Sequence, residues 1–509
     1  MSLAYERRLP DYLRAQQVAI EGIAKEAGLE FFPLMFEVLG YDQMNEIAAF
    51  GGFPTRYPHW RFGMEYEQLK KSHEYGLSKI YEMVINNNPS IAYLLEGNSI
   101  VDQKLVMAHV YAHVDFFKNN FAFKVTDQGV DRRTGEPIRK WLDTFANHGS
   151  IVRRWARRIG VEPVERFIDA CLSLENLIDP QKPFRPSRAP EKSEEEEALP
   201  EELRLLRVDR DYMESFINPE EFVQAERERV AEEKARAKRF PESPDRDVLG
   251  FLLVNAPLER WEREVLNVIR REAYYYLPQM QTKIMNEGWA TYWHSRLMTE
   301  KICDGSEIID YADRCAGVLA TSPGQLNPYK LGVELYRHIE RRWDRGQFGR
   351  EWDECQDYAT RAGWDRRTGL GQKKIFEVRA LYTDVTFIDE FLTPDFVAEQ
   401  KLYAFGWSER NDRYEIETRQ FREVKSKLLT QLTNAGNPII RVLDANHENR
   451  TELLFEHDHQ GVDLRLDWAQ EVLAALNRVW KRPVELYTVA EEKPTVLRYD
   501  GSEHTRQSR

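Results

Sequence analysis

Cysteine is scarce in this chain: four in 509 residues. Cys171, Cys303, Cys315 and Cys355 are far apart and form no C-x-x-C pair, so neither a disulfide framework nor a cysteine zinc site is expected. Long apolar runs are also missing. No stretch reaches the roughly 18 apolar residues of a membrane span, and the opening MSLAYERRLPDYLRAQQ lacks the apolar centre of a signal peptide. These absences point to a cytoplasmic chain with no membrane span. No glycine-rich phosphate loop follows a strand, no G-x-S-x-G elbow occurs, and no repeat of solenoid period is found. Mononucleotide and dinucleotide folds, serine-hydrolase chemistry and repeat architectures are thereby disfavoured. Positive charge is in deficit as well, with a net charge of −13. Without a basic block interleaved with aromatics, nucleic acid is not an expected partner.

What is present is apolar and aromatic mass, 42% and 12% of the residues, enough for two or three cores at this length. Periodicity and punctuation divide the chain into four segments. Residues 1–180 read as helices, with apolar spacing over Tyr66–Asn87, Asp102–Lys118 and Ser150–Leu177. An aromatic loop, Gly51-Gly52-Phe53-Pro54-Thr55-Arg56-Tyr57-Pro58-His59-Trp60, precedes the first of these. Residues 181–247 form a charged insertion or linker. Residues 248–405 are a second helical block that packs with the first. It has helices at Leu258–Leu277, closed by Pro278, at Gln279–Glu300, at Tyr329–Trp343 and at Gly371–Leu381. Residues 406–509 read α-β-β-α-β-β, a small α+β domain. The fold class is therefore mainly α with a smaller C-terminal α+β domain.

The helix VDQKLVMAHVYAHVDFF is apolar on nearly every side, as buried helices are. Within it His109 and His113 are one turn apart, about 5.4 Å, on one face. Buried imidazoles need partners, since leaving one without costs about 1–3 kcal/mol. The i, i+4 spacing is also the one by which helical zinc sites place two nitrogens on one ion. Core histidines paired to carboxylates or carbonyls have the same spacing, so both readings stand. Unlike H-E-x-x-H, this chain has Val110 after the first histidine, so a hydrolytic base would have to come from elsewhere; Asp115 and Glu82 are the candidates.

In KIMNEGWATYWHSRLM, Glu287 and His294 are seven apart on one face. Glu287 fits as a ligand and His294 as a contact to substrate or to a ligand. Gly288 inside this helix costs about 1 kcal/mol relative to alanine and suggests close approach of a backbone or a ligand. His148 is a further candidate to steady a transition state. His59 in the aromatic loop, and His447, His457 and His459 near the C-terminus, read as structural or surface histidines. The E-x-x-H pairs of dinuclear carboxylate sites are missing.

Asn286-Glu287-Gly288-Trp289-Ala290 resembles the N-E-G-[FW]-A segment of gluzincin aminopeptidases, in which the glutamate is the third zinc ligand. That resemblance implies a zincin-like cluster of His109, His113 and Glu287 around a divalent metal, zinc by expectation. More extensively, GGFPTRYPHWRFG (51–63), LVMAHVYAHVDFFKNN (105–120), the stretch from FLLVNAPLERW to WHSRLMT (251–299) and LTNAGNPIIRVLDANHENRTELLFEHDHQGVDL (432–464) resemble the stage V sporulation protein R (SpoVR) family. The resemblance implies a part in spore-cortex peptidoglycan formation or in stress and stationary-phase physiology. It also implies a PrkA-type serine kinase and a YhbH/YeaH-type protein as partners. Two functions follow from these readings: a metal-dependent hydrolase of amide or peptide-like bonds, or a non-catalytic scaffold or regulator.

Overall fold

The computed structural model describes residues 9–74, 82–185, 219–237, 239–322 and 324–508. The chain forms two compact units, each assembled from two separate stretches: residues 1–158 with 275–436, and residues 159–274 with 437–509. These units are cut differently from the four consecutive segments read from the sequence. Most of the charged insertion lies outside the described residues; within it a helix spans Glu220–Ala237. Among the described residues no helix is long and apolar enough to cross a membrane.

The first unit is mainly helical. It begins with α1 (Asp11–Glu26), β1 (Leu34–Leu39), α2 (Tyr41–Ala49), α3 (Trp60–Glu74), β2 (Glu82–Ile85) and β3 (Ser90–Leu95). The strands form a sheet ordered β1-β3-β2, parallel between β1 and β3 and antiparallel between β3 and β2. This corrects the helix expected over Tyr66–Asn87. Met83, Val84 and Ile85 pair with Tyr93, Ala92 and Ile91, and cross-strand packing of such residues overrides a short periodic signal.

Next come α4 (Ile100–Asn119) and α5 (Trp141–Ile159). The Ser99 hydroxyl caps α4 by accepting from the Asp102 amide at 3.2 Å. Gly160, at φ 108°, ends α5, so the single helix expected over Ser150–Leu177 is two. The second stretch of this unit carries α6 (Lys283–Leu297), α7 (Ile308–Val318), α8 (Pro328–Asp344), α9 (Gly371–Leu381) and α10 (Asp384–Phe391). A hairpin of β4 (Ala404–Ser408) and β5 (Arg413–Thr418) follows, then a helix at Phe421–Leu432. Pro278 does not close its helix, which runs from Arg260 to Gln281. The chain turns at Thr282, and Asp384 of α10 accepts from the Ile284 and Met285 amides at 2.8 and 2.9 Å, satisfying the exposed donors at the start of α6.

The core of this unit is centred on α4 and α6. Val106, Met107, Val110 and Val114 pack with Ile284, Trp289 and Trp293 and with Val333 and Tyr336 of α8. The crossing of α6 and α8 is set by two glycines. A Cβ on Gly288 would lie 2.4 Å from the Gly332 Cα, and one on Gly332 would lie 2.2 Å from the Ile284 carbonyl oxygen. The close approach expected at Gly288 is thus made by another backbone.

In the second unit, a five-stranded sheet is ordered β10-β9-β8-β7-β6, from β6 (Ile439–His447), β7 (Glu452–Asp458), β8 (Val484–Ala490), β9 (Lys493–Tyr499) and β10 (His504–Ser508). Only β7 and β8 pair in parallel, and they are joined through the helix Leu466–Trp480, the crossover that a parallel pair requires. The architecture is the expected one, mainly α with a smaller C-terminal sheet domain.

Candidate metal centre

Because α4 is buried along nearly its whole length, its two histidines are fixed by helix position alone, with rings 4.5 Å apart. Helix α6 brings Glu287 against them. Glu287 Oε2 lies 3.6 Å from His109 Nε2 and 3.4 Å from His113 Nε2, and the three ligand atoms are within 4.8 Å of one another. All three residues are buried. Two atoms bound at about 2.1 Å to one tetrahedral zinc ion stand about 3.4 Å apart. The spacing therefore fits a shared ion better than it fits direct charged hydrogen bonds, which close to about 2.7–2.9 Å.

The far side of each ring supports the same geometry. His113 Nδ1 meets Asn286 Oδ1 at 2.9 Å. An amide oxygen only accepts, so Nδ1 carries the proton and Nε2 is the nitrogen that faces Glu287. His109 Nδ1 meets His294 Nδ1 at 3.3 Å. With Nδ1–H on His109, His294 accepts there and turns its own Nε2–H towards Cys315 Sγ, 3.8 Å away. Cys315 lies on α7 with Tyr311, whose hydroxyl is 3.2 Å from the same sulfur. Metal-binding histidines characteristically donate their second nitrogen to such acceptors, which fixes tautomer and ring orientation.

Glu287 is also held by Lys283, one turn earlier, at 2.6 Å from Oε1. Burial pushes the Glu287 carboxyl up, but the opposing pull of His109, His113 and Lys283 outweighs it and holds the group well below the usual carboxylate range. The carboxylate is thus ionised and ready to ligate.

Of the residues singled out in the sequence, His109, His113, Glu287 and His294 come together. Asp115 does not join them. Two residues past His113, it points from the opposite face of α4 and is fully committed: Arg379 donates to both oxygens at 2.6 and 2.7 Å, Trp289 Nε1 donates at 2.8 Å and the Glu30 amide at 2.7 Å. His148 lies on α5 beside Phe145, a member of a separate aromatic cluster with Phe53 and Tyr275. The backbone of Glu82 is in β2, and its side chain lies outside the described residues. Sequence reasoning missed Lys283, Cys315 and Asn286 in its ring-orienting role. Lys283 was visible as an i, i+4 partner of Glu287, whereas Cys315 comes in only through the placement of α7.

A mainly helical scaffold with a buried two-histidine, one-carboxylate cluster on crossed helices is the class that fold and site define. Residues 8–437 match the model described as SpoVR like protein, and residues 438–491 match the SpoVR-like C-terminal domain. The chain belongs to the SpoVR family. It is 30% identical over 511 residues to the Escherichia coli (strain K12) protein with the printed name "Uncharacterized protein YcgB", covering 92% of this chain and 90% of that one. No solved structure matches.

Proposed function

We propose that the chain is a metal-dependent enzyme in which His109, His113 and Glu287 hold one divalent ion, zinc by donor set, for hydrolysis of an amide or peptide-like bond. The observation that carries this reading is the convergence of two Nε2 atoms and one carboxylate oxygen at 3.4–3.6 Å, with both Nδ1 atoms engaged elsewhere. A divalent ion held there would polarise a carbonyl and supply a nucleophile from water near neutral pH. His294 and Asn286 hold the ligand rings in the binding tautomer. Lys283, whose side chain is 58% exposed beside the buried Glu287, is the cation past which a substrate would reach the centre, and it would steady negative charge developing on a substrate oxygen. Asp115, with both oxygens on donors, positions α4. A role in spore-cortex peptidoglycan formation or in stress and stationary-phase physiology is the cellular setting that accompanies this reading.

One observation favours a second reading: Lys283 already places a positive charge 2.6 Å from Glu287, so the cluster has a counter-charge without an ion. The chain would then be a scaffold or regulator working with a PrkA-type serine kinase and a YhbH/YeaH-type protein. Metal analysis of protein purified without a histidine tag separates the two. The enzyme reading requires about one ion per chain, lost in both His109→Ala and Glu287→Gln while the fold is retained. Metal-free wild-type protein that still captures the two partners establishes the scaffold.

A further inference from the structure

The aromatic loop singled out in the sequence takes no part in the histidine centre, yet it is one of the more constrained segments of the first unit. Gly51 and Gly52 turn it at φ 68° and 95°. The Arg56 guanidinium then sits over three rings, 5.2 Å from Tyr57, 5.0 Å from Phe62 and 4.8 Å from Phe145. It also donates to the Phe50 carbonyl and the Tyr276 hydroxyl at 3.3 and 3.2 Å. Arg56 is thus spent on holding the loop. Its carbonyl accepts from Arg153 Nη1 of α5 at 3.0 Å. Gly149 permits this seating, because a Cβ there would lie 3.1 Å from the same carbonyl oxygen.

Loop, α2, α3 and α5 enclose a cavity of about 660 Å³, within the range of small-ligand sites, roughly 300–1,000 Å³. Its walls differ in chemistry. Asp42 and Glu46, one turn apart on α2, supply negative charge at one side, and both are exposed. Tyr57, Phe62 and Tyr66 supply aromatic surface, and Arg153 supplies positive charge. Arg153 continues into a row of Arg154, Arg157 and Arg158 that lines a second hollow of about 400 Å³. Among the described residues, Asp42, Glu46, Arg153 and Arg157 form no ion pair, with each other or with anything else. Opposite charges on one cavity that do not pair across it are complementary to a ligand carrying both signs.

We infer that this cavity is a binding site for an amino-acid-derived zwitterion, a short peptide with a free amino end. Its ammonium meets Asp42 and Glu46, an apolar side chain lies on Tyr57, Phe62 and Tyr66, and its carboxylates meet Arg153 and the arginine row. The site shares no residue with the His109, His113 and Glu287 cluster, so it stands or falls independently of that cluster's role.

Calorimetric titration of the full chain with the tripeptide Ala-Phe-Glu tests the assignment. Saturable binding is expected, weakened at least tenfold by N-acetylation of the peptide and by Arg153→Gln, and several-fold by Glu46→Gln. His109→Ala should leave it unchanged. Because Arg153 also braces the loop, the solvent-exposed Glu46→Gln and the acetylated peptide keep the test valid if Arg153→Gln unfolds. Absence of binding overturns the inference, as does affinity indifferent to acetylation. Competition by inorganic phosphate as strong as that by the peptide also overturns it, since it would mark a plain anion site.

Discussion

The two faces of α4 make an instructive pair. Both are buried, both carry ionisable side chains, and both are closed by α6. On one face Asp115 receives Nη1 of the Arg379 guanidinium on both oxygens, an indole N–H and an amide N–H, so each of its oxygens has donors at hydrogen-bond distance. On the other face His109, His113 and Glu287 are drawn to a common point but stand 3.4–3.6 Å apart, with their hydrogen bonds directed outward to Asn286 and His294. A cluster with every oxygen on a donor holds helices together; one that turns two ring nitrogens and a carboxylate oxygen towards each other could hold a metal ion. Burial alone does not distinguish them. Direction does.

The largest expected effect comes from breaking the saturated face. Asp115→Ala leaves the Arg379 guanidinium buried without its partner, and removing one member of such a pair costs about 3–5 kcal/mol. Urea denaturation should show that loss, while Glu287→Gln should shift the midpoint far less. Next is the glycine crossing beneath both faces. Gly288→Ala puts a methyl 2.4 Å from the Gly332 Cα and should cost about 1–3 kcal/mol through overpacking. It should also weaken metal binding by displacing α6, which carries Glu287, measurable by chelator competition, although it touches no ligand.

A finer probe is Asn286→Ala, which removes the acceptor that orients His113. Metal affinity should fall about 10- to 100-fold with little change in the urea midpoint; an equal loss of both would put His113 in the structural class with Asp115. A pH dependence gives a separate handle on α6. Burial raises the Asp384 carboxyl to about 7, against the pull of the Ile284 and Met285 amides and of Lys283. A raised carboxyl favours the protonated fold, so its stabilising contribution is complete below about pH 3.8 and is lost as pH rises through about 7. The stability of the wild type relative to Asp384→Asn should therefore decline from pH 4 to pH 8, as followed by thermal unfolding across that range.

Much of this comparison was legible in the sequence. The i, i+4 histidines, the all-round apolar α4 and the Glu287–His294 spacing are helical periodicities, and local geometry carries them directly. Asp115 was misleading because nearness along the chain suggested a shared site, while a two-residue step on a helix reverses the face. Its true partners, Arg379 and Trp289, are over 170 residues away and no local pattern marks them. The small N-terminal sheet was hidden for a similar reason: β1 and β3 gain their pairing only once the chain between them has folded back. In the C-terminal domain, alternation and turns were strong enough for four of the five strands, and β10, exposed throughout, had no apolar pattern to read.

The discontinuous first unit has a consequence during synthesis. Helix α4 leaves the ribosome with apolar residues on nearly every side, and the helix that covers it, α6, is encoded far downstream. At about 5–20 residues per second, the nascent chain would hold that sticky surface for on the order of ten to thirty seconds before its cover is translated. Chaperone demand in the cell should be set by this delay more than by the stability of the finished protein.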